Sequence, residues 1–587
     1  MANPGNQYQW AVDSAFPPHA ATVPKAADKS DLQIFNLVAF LQTGGMLVEP
    51  PRPISAQYLR LAPNEKTTSL DQAVANNQLQ RGPPGVSSNM LFPFNIGDRD
   101  DWYSDAVFAQ QHFTGTNPTT ITRIEDDLKA EFEEAALKID NEKHKENVRN
   151  HLTTHAASLY VQDYRYFRVA MGLSGDQQIA SGDGRYGAAP VALFHLRDDG
   201  KLHPLAIVID YKGTMANSVV IFNSRLEPAP NDQPHNLEKE DWPWRYAKTC
   251  VQSADWLRHE VTIHLVNTHL VEEAVIVAAN RTLPKSHTVY QLLEKHWETT
   301  LSINRQARQS LVPNVIAKIA GAPWNELVSF MGHAYRTFNW KGLHIPKDLE
   351  SRGFPSTTDG LDNPKFHNYA YARNMVPMWQ AIRAFVAEVL KAHYADNTAV
   401  KNDQPLQKFC DEMLAPQSGN MSSFLNISDS QSPLDDLIDT VTMCIHIASP
   451  QHTAVNYLQQ YYQVFVPNKP WSLYQPLPTT LAELREYTEQ HLIDALPFKN
   501  TKDWLIGAQL PYLLSFEVLG QNSLLSYAIH QSNDPKADPA IRTAAQHFEQ
   551  QLRTLQGVFT QHSNALDDQR TPYTVMDPAV TAVSILI

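Results

Sequence analysis

The sequence predicts a mainly α-helical protein carrying one small antiparallel β-sheet. Three observations predict it. No Gly or Pro interrupts the chain from Trp256 to Leu283, and apolar residues recur through that stretch (Val261, Ile263, Leu265, Val266, Leu270, Val271, Ala274, Val275, Ile276), which argues a long, mostly buried helix. The pattern stays helical from Arg308 to the end. One stretch reads as strands: APVALFHL and KLHPLAIVID are apolar, β-branched runs joined by RDDG, a hairpin signal, and SVVIFN (218–223) follows as a third.

At 587 residues the chain exceeds one ordinary domain, although a large single core can hold that length. With 43% hydrophobic and 19% charged residues it is globular. A net charge of −14 argues against a nucleic-acid partner and leaves no polybasic patch. Cys250, Cys410 and Cys444 are scattered with no CxxC, which fits a reducing compartment or structural thiols. The N-terminus has no apolar core of signal-peptide length, and no long uninterrupted apolar run occurs. A soluble, cytoplasmic protein is expected.

In chain order, residues 1–30 are Pro- and Ala-rich and read as a loosely held arm. DLQIFNLVAFLQTGG (31–45) reads as a short apolar helix ended by two glycines, and EPPRP (49–53) and RGPPG (81–85) flank a polar, helix-like piece. The expected division is an arm with short helices over 1–95 and one large domain over 96–587. Phe108 and Phe113 in DWYSDAVFAQQHFTGTNP are five apart and need not share a face, so both read first as core aromatics. The charged helical stretch 125–160 reads as a solvated surface.

His259, His264 and His269 follow one another at intervals of five. At 3.6 residues per turn, five steps rotate by about 140°, so an ordinary α-helix would aim them apart. A π-turn brings an i, i+5 pair onto one side, and such turns cluster at functional sites. Either the histidines look in different directions or the helix is wound to aim two of them at one point. A zinc-protease helix needs His at i and i+4 with Glu between, and HEVTIH is one residue too long. With 23 histidines in the chain, chance supplies roughly one pair at any chosen spacing, so the triplet alone does not establish a metal site. His452 and Asn456 are four apart and share a helix face; alone, they read first as a hydrogen-bonded core pair.

The order WLRHE-VTIHLVNTH-LVEEAVIVAANRTLP-SH-VYQLLEKH-TTLSINRQARQSL resembles the metal-helix signature of the lipoxygenases. FHNYAYARNMVPMWQAI, the His452/Asn456 segment and an Ile ending are similar to that family as well. The resemblance covers most of the chain, without the β-sandwich domain with which many members begin. Arg373 and Asn374 stand where acidic residues are common, which marks a divergent, microbial member. The resemblance implies a lipoxygenase-type catalytic domain over 96–587 and one non-heme iron, with manganese as the alternative. The implied ligands are His264, His269, His452, Asn456 and the terminal carboxylate of Ile587. His259 is the non-ligand first histidine, and His446 is structural. Gln459 is expected to hydrogen-bond Asn456, and Glu260 stands beside His259 where Gln is usual.

The implied reaction is hydrogen abstraction from a doubly allylic CH2 by an Fe(III)-hydroxide, followed by addition of O2 to a polyunsaturated fatty acid of the linoleate or arachidonate type. The implied channel residues are Leu311, Phe108, and Leu513 or Leu514 of the apolar helix at 507–520. Ala307 implies S hydroperoxides, a methyl group blocking one end of the pentadienyl radical; otherwise it is a small residue at a helix contact. The other readings are a hydroperoxide isomerase on the same fold and a metal-free lipid-binding protein. Besides fatty acid and O2, a transient membrane contact and a monomeric or weakly oligomeric state are expected.

Overall fold

One helix runs unbroken from Trp242 to Thr282, 41 residues. Asp241 starts it by accepting from the amide of Trp244, with Pro243 in the first turn; extended Leu283 and then Pro284 end it. Length and composition would let it cross a membrane, but 89% of its most apolar window is buried inside the protein, so it is a core helix. Its middle, Arg258–Leu270, is π-helical. Thr262 donates its hydroxyl to the carbonyl of Arg258 at 2.6 Å, and Thr268 donates to that of His264. Such hydroxyls compete for carbonyls that an α-helix would use, and here they accompany the wider turn.

The computed structural model describes residues 7–12, 15–29, 69–80, 94–227, 236–515, 520–571 and 573–586. The expected helix at 31–45 and both breaker clusters lie outside them. The polar piece between the breakers is a helix, Leu70–Gln80.

Two sheets form among the described residues. A short pair joins β1 (Trp10–Ala11) to β2 (His19–Ala20). The larger sheet is antiparallel throughout, in the order β3 (Thr122–Arg123), β4 (Leu159–Asp163), β5 (Val191–Leu196), β6 (Leu202–Val208), β7 (Val220–Phe222). The expected hairpin is β5–β6 and the expected third strand is β7. Period-two alternation divides this sheet: Tyr160, Phe194 and Ile207 enter the main core, while Val161, Leu193 and Val208 form a second core beneath the helices Asp126–Ala136 and Glu142–Thr154. The stretch 125–160 is therefore not simply a solvated surface. Leu128, Phe132, Ala136, Val148 and Leu152 are buried on the sheet, and the charged residues face out.

Long helices build the remaining body. Ala370–His393 packs against both Pro433–His446 and Pro539–Asn564. Asn374 is buried in this packing, its Oδ1 accepting from Nδ1 of His562 at 2.8 Å, and Arg373 pairs with Asp362 at 3.4 Å. An unpaired carboxylate buried in place of Asn374 would carry a desolvation cost.

The N-terminal arm is held more firmly than its composition suggests. Asp28 forms a two-pronged ion pair with Arg305 at 2.8 and 2.9 Å, Ala20 donates its amide to Glu273 at 3.0 Å, and Trp10 donates its indole N–H to Glu412 at 2.7 Å. Glu273 belongs to the long histidine helix, so the arm straps onto the element that carries the site.

Candidate metal centre

The π-helical winding brings His264 and His269 together: their Nε2 atoms are 3.3 Å apart. His452 comes from a second helix that is also π-helical just before it, over Ile447–Gln451, and packs on the first. Its Nε2 lies 3.3 Å from that of His264 and 3.1 Å from that of His269. Three imidazole nitrogens thus occupy a nearly equilateral triangle inside the core, all three residues buried. Burial, and then the rings of His269 and His452, hold His264 well below the usual histidine range; burial pushes His269 down to about 4. The rings of His264 and His269 are neutral at physiological pH.

This donor set fits a metal ion. Nδ1 of His269 is 2.9 Å from Oδ1 of Asn304 and donates to it, which leaves the Nε2 lone pair facing the other two rings. Three such nitrogens cannot all satisfy one another by hydrogen bonding in a dry pocket. A cation bonded to imidazole nitrogens at about 2.0–2.1 Å satisfies all three. Asn304 is itself fixed: its Nδ2 donates to the carbonyl of His269 at 2.7 Å and to Glu273 at 2.9 Å, and Glu273 is paired with Arg308 at 2.5 Å.

Asn456 lies one turn after His452 on the same face, buried, its Oδ1 accepting from Nε2 of Gln459 at 2.6 Å. Nδ2 of Asn456 and Oε1 of Gln459 have no partner. Turning both amides over keeps one hydrogen bond between the side chains and frees the Asn456 oxygen as a ligand. His259 is engaged otherwise: Nε2 donates to the carbonyl of Val455 at 2.8 Å, and Nδ1 accepts from Gln463 at 3.0 Å. Glu260 is buried, with Oε1 3.3 Å from Nδ1 of His259. His446 packs its ring on Trp379 at 5.3 Å.

The C-terminal stretch is threaded into this region. Ala582 donates its amide to the hydroxyl of Thr453, the neighbour of His452, at 3.1 Å, and its carbonyl accepts from Ser449 at 2.5 Å. His296 donates to the carbonyl of Val583 at 2.6 Å and Thr299 to that of Ile585 at 2.9 Å; Ile585 and Leu586 are buried. Ile587 lies outside the described residues.

Of the expected channel residues, Ala307 is buried one turn after Asn304, at the start of a third π-helical segment, Ala307–Ile316, and Leu311 is half-buried in that segment. Leu514 is buried at the end of the helix Thr501–Leu514, which packs against Gln459–Tyr462. The side chain of Leu513 lies outside the described residues. Phe108 is buried with its ring stacked on Phe194 at 5.8 Å and edge-on to His112 at 5.2 Å. Sequence reasoning missed the roles of Asn304 and Glu273. Asn304 is the Asn of SINRQAR, and its contact with His269 spans two helices, which spacing along the chain does not signal.

Known proteins resemble this chain in sequence and fold. The family model described as Lipoxygenase matches residues 52–578. A manganese lipoxygenase of Pleurotus sapidus is 46% identical over 588 residues, covering 99% of this chain and 89% of that protein. Linoleate 9S-lipoxygenase 1 of Oryza sativa subsp. japonica is 28% identical over 510 residues, covering 81% of this chain and 56% of its own length. A crystal structure of a fungal lipoxygenase from Fusarium graminearum superposes with a TM-score of 0.87 at 37% identity, covering 100% of this chain and 98% of that one. With the family model spanning nearly all of its length and close to half of its residues shared with one relative from end to end, the chain belongs to the lipoxygenase family.

Proposed function

We propose that this lipoxygenase adds O2 to the (Z,Z)-pentadiene of polyunsaturated fatty acids such as linoleate and arachidonate and releases mainly S hydroperoxides. The observation that carries the reading is the buried triangle of His264, His269 and His452 with Ala307 one turn along the helix from Asn304. These three histidines would hold the metal, with Asn456 and the carboxylate of Ile587 completing the protein's ligands. When bound, the metal supplies the one-electron acceptor that lets a hydrogen atom leave the doubly allylic carbon. Imidazoles with oxygen donors suit iron, which the sequence motifs favour, and manganese, after which the Pleurotus sapidus relative is named.

The chain's own residues orient, exclude and shield. Asn304 sets the tautomer of His269, held in turn by Glu273 and Arg308. Apolar walls that include Leu311 and Leu514 would seat the acyl chain and keep water from the radical. The methyl of Ala307 would shield one end of the pentadienyl radical, so that O2 adds at the other.

The test is O2 consumption with linoleate and with arachidonate, followed by chiral chromatography of the products and metal analysis of the same protein. Stoichiometric O2 uptake with mainly S product is expected. Conversion of added fatty-acid hydroperoxide to epoxyalcohol without O2 uptake would replace the dioxygenase by an isomerase.

A further inference from the structure

A second group of three histidines meets at the edge of the second core. His151 and His155 stand four residues apart at the C-terminal end of the helix Glu142–Thr154, His155 forming its cap, so their rings share a face. His195 meets them from β5. The ring centroids are 4.3 Å apart for His155 and His195, 4.5 Å for His151 and His155, and 4.9 Å for His151 and His195. One ring nitrogen from each residue lies within 4.8 Å of the others, and Nε2 of His151 is already 3.1 Å from Nδ1 of His195. His151 and His195 are buried; His155 is half-buried and gives a way in from solvent.

We propose that His151, His155 and His195 form a second metal site, specific for a zinc-class divalent ion and separate from the centre at His264. Four features of the cluster support it. Imidazole-only donors suit zinc, nickel and copper. Burial, and then the neighbouring imidazoles, hold His151 down to about 4 and His195 to about 3, so both rings offer lone pairs at physiological pH. Oε1 of Glu227 lies 3.8 Å from Nδ1 of His151, on the side of the ring away from His195, where a carboxylate favours the tautomer that turns Nε2 to the ion. The nearby cations have carboxylate partners: Arg197 pairs with Glu227 and with Asp199 at 3.3 Å, and Lys365 pairs with Asp198 at 2.8 Å. Water takes the fourth position. An ion there would tie the Glu142–Thr154 helix to β5 more firmly than the single polar contact between His151 and His195 does.

The experiment uses the full-length protein with its catalytic metal in place. Zinc is titrated in competition with a chromophoric chelator, and bound metals are counted by mass spectrometry. One equivalent of zinc beyond the catalytic metal is expected, with a rise in melting temperature on zinc addition. His155→Ala and His155→Gln should weaken zinc binding by at least about tenfold and abolish that rise. His264→Ala should retain the zinc equivalent while losing the catalytic metal. Cobalt(II) in place of zinc should give visible d–d absorption that His155→Ala removes. Melting curves without zinc establish that the His155 variants are folded. Equal zinc binding by wild type and both His155 variants, or no equivalent beyond the catalytic metal in the wild type, would overturn the site and leave a hydrogen-bonded histidine cluster.

Discussion

Oδ1 of Asn304 accepts the Nδ1 proton of His269 at 2.9 Å, across two helices, and so decides which nitrogen of that histidine faces His264 and His452. Glu273 and Arg308 lock Asn304 in turn. Replacing Asn304 with Ala removes the acceptor and leaves His269 free to change tautomer. Metal affinity should fall about 10- to 100-fold, the range seen when an outer partner of a metal-bound histidine is lost. Asn304→Asp, which keeps an acceptor, should recover part of it. Metal retained per chain during dialysis against a chelator measures this, and an unchanged rate of loss in Asn304→Ala would remove the role.

His264→Ala, His269→Ala and His452→Ala each open one corner of the triangle. Each should reduce metal content and lower activity by more than about 100-fold, beyond the effect of an outer partner. Full occupancy and turnover in any one of them would sink the assignment.

The tail prediction concerns Ile587. Ala582, Val583 and Ile585 are pinned by Thr453, His296 and Thr299, in the region of His452. Residues appended after Ile587 would replace the carboxylate with a neutral peptide group. Activity and metal content should be lost with a C-terminal tag and kept with an N-terminal one. Equal activity of the two proteins would count against a carboxylate ligand.

Ala307→Gly should raise the share of R product at the alternative carbon, because the shielding methyl is gone. Chiral-phase analysis of wild type and variant on one fatty acid decides it. Mainly R product from the wild type, or an unchanged ratio in the variant, would free Ala307 of this role.

Buried histidines make the fold acid-sensitive. Burial pushes His112 and His446 down to about 3 and His296 to about 4, whereas unfolded histidines protonate near 6.5. Between these values the unfolded chain binds more protons, so stability is present above about pH 6.5 and is lost as pH falls toward 4, with an upper bound of about 1.4 kcal/mol per pH unit for each histidine. Glu272, which burial raises to about 8, works in the opposite direction but is one group against several. The melting temperature should therefore drop steadily from pH 7 to pH 5. A flat profile would show that these rings reach solvent.

Local spacing made part of the site's geometry legible, and the family resemblance supplied the ligand set. The five-residue spacing of His264 and His269 announced either divergence or a widened turn, and the structure has the widened turn. The hairpin β5–β6 was legible from RDDG between two β-branched runs. β3 and β4 were not: β3 has two residues, and β4 follows directly on a charged helix, so neither gives a periodic signal long enough to separate from its surroundings. The buried faces of the 125–160 helices and the grip of the N-terminal arm were missed for a related reason. Each depends on a surface supplied by residues far away in the chain, and composition carries no record of that.

The π-helical winding between Arg258 and Leu270 makes the histidine helix sensitive to length in a way that its composition does not reveal. Substitution at Val266 or Asn267 changes one side chain. Deletion of either leaves His264 and His269 four residues apart, a spacing that ordinary α-geometry aligns by itself. A deletion that lets this turn relax to α-geometry therefore keeps the facing of everything downstream, Glu273 on Asn304 included. An inserted residue has no such outlet and turns the downstream helix by about 100° about its axis, carrying Glu273 off Asn304 and the apolar stripe from Val271 to Ala279 off its neighbours. The wide turn is slack of one sign: the rod can lose a residue there and hold the register of the packing beyond, but it cannot gain one.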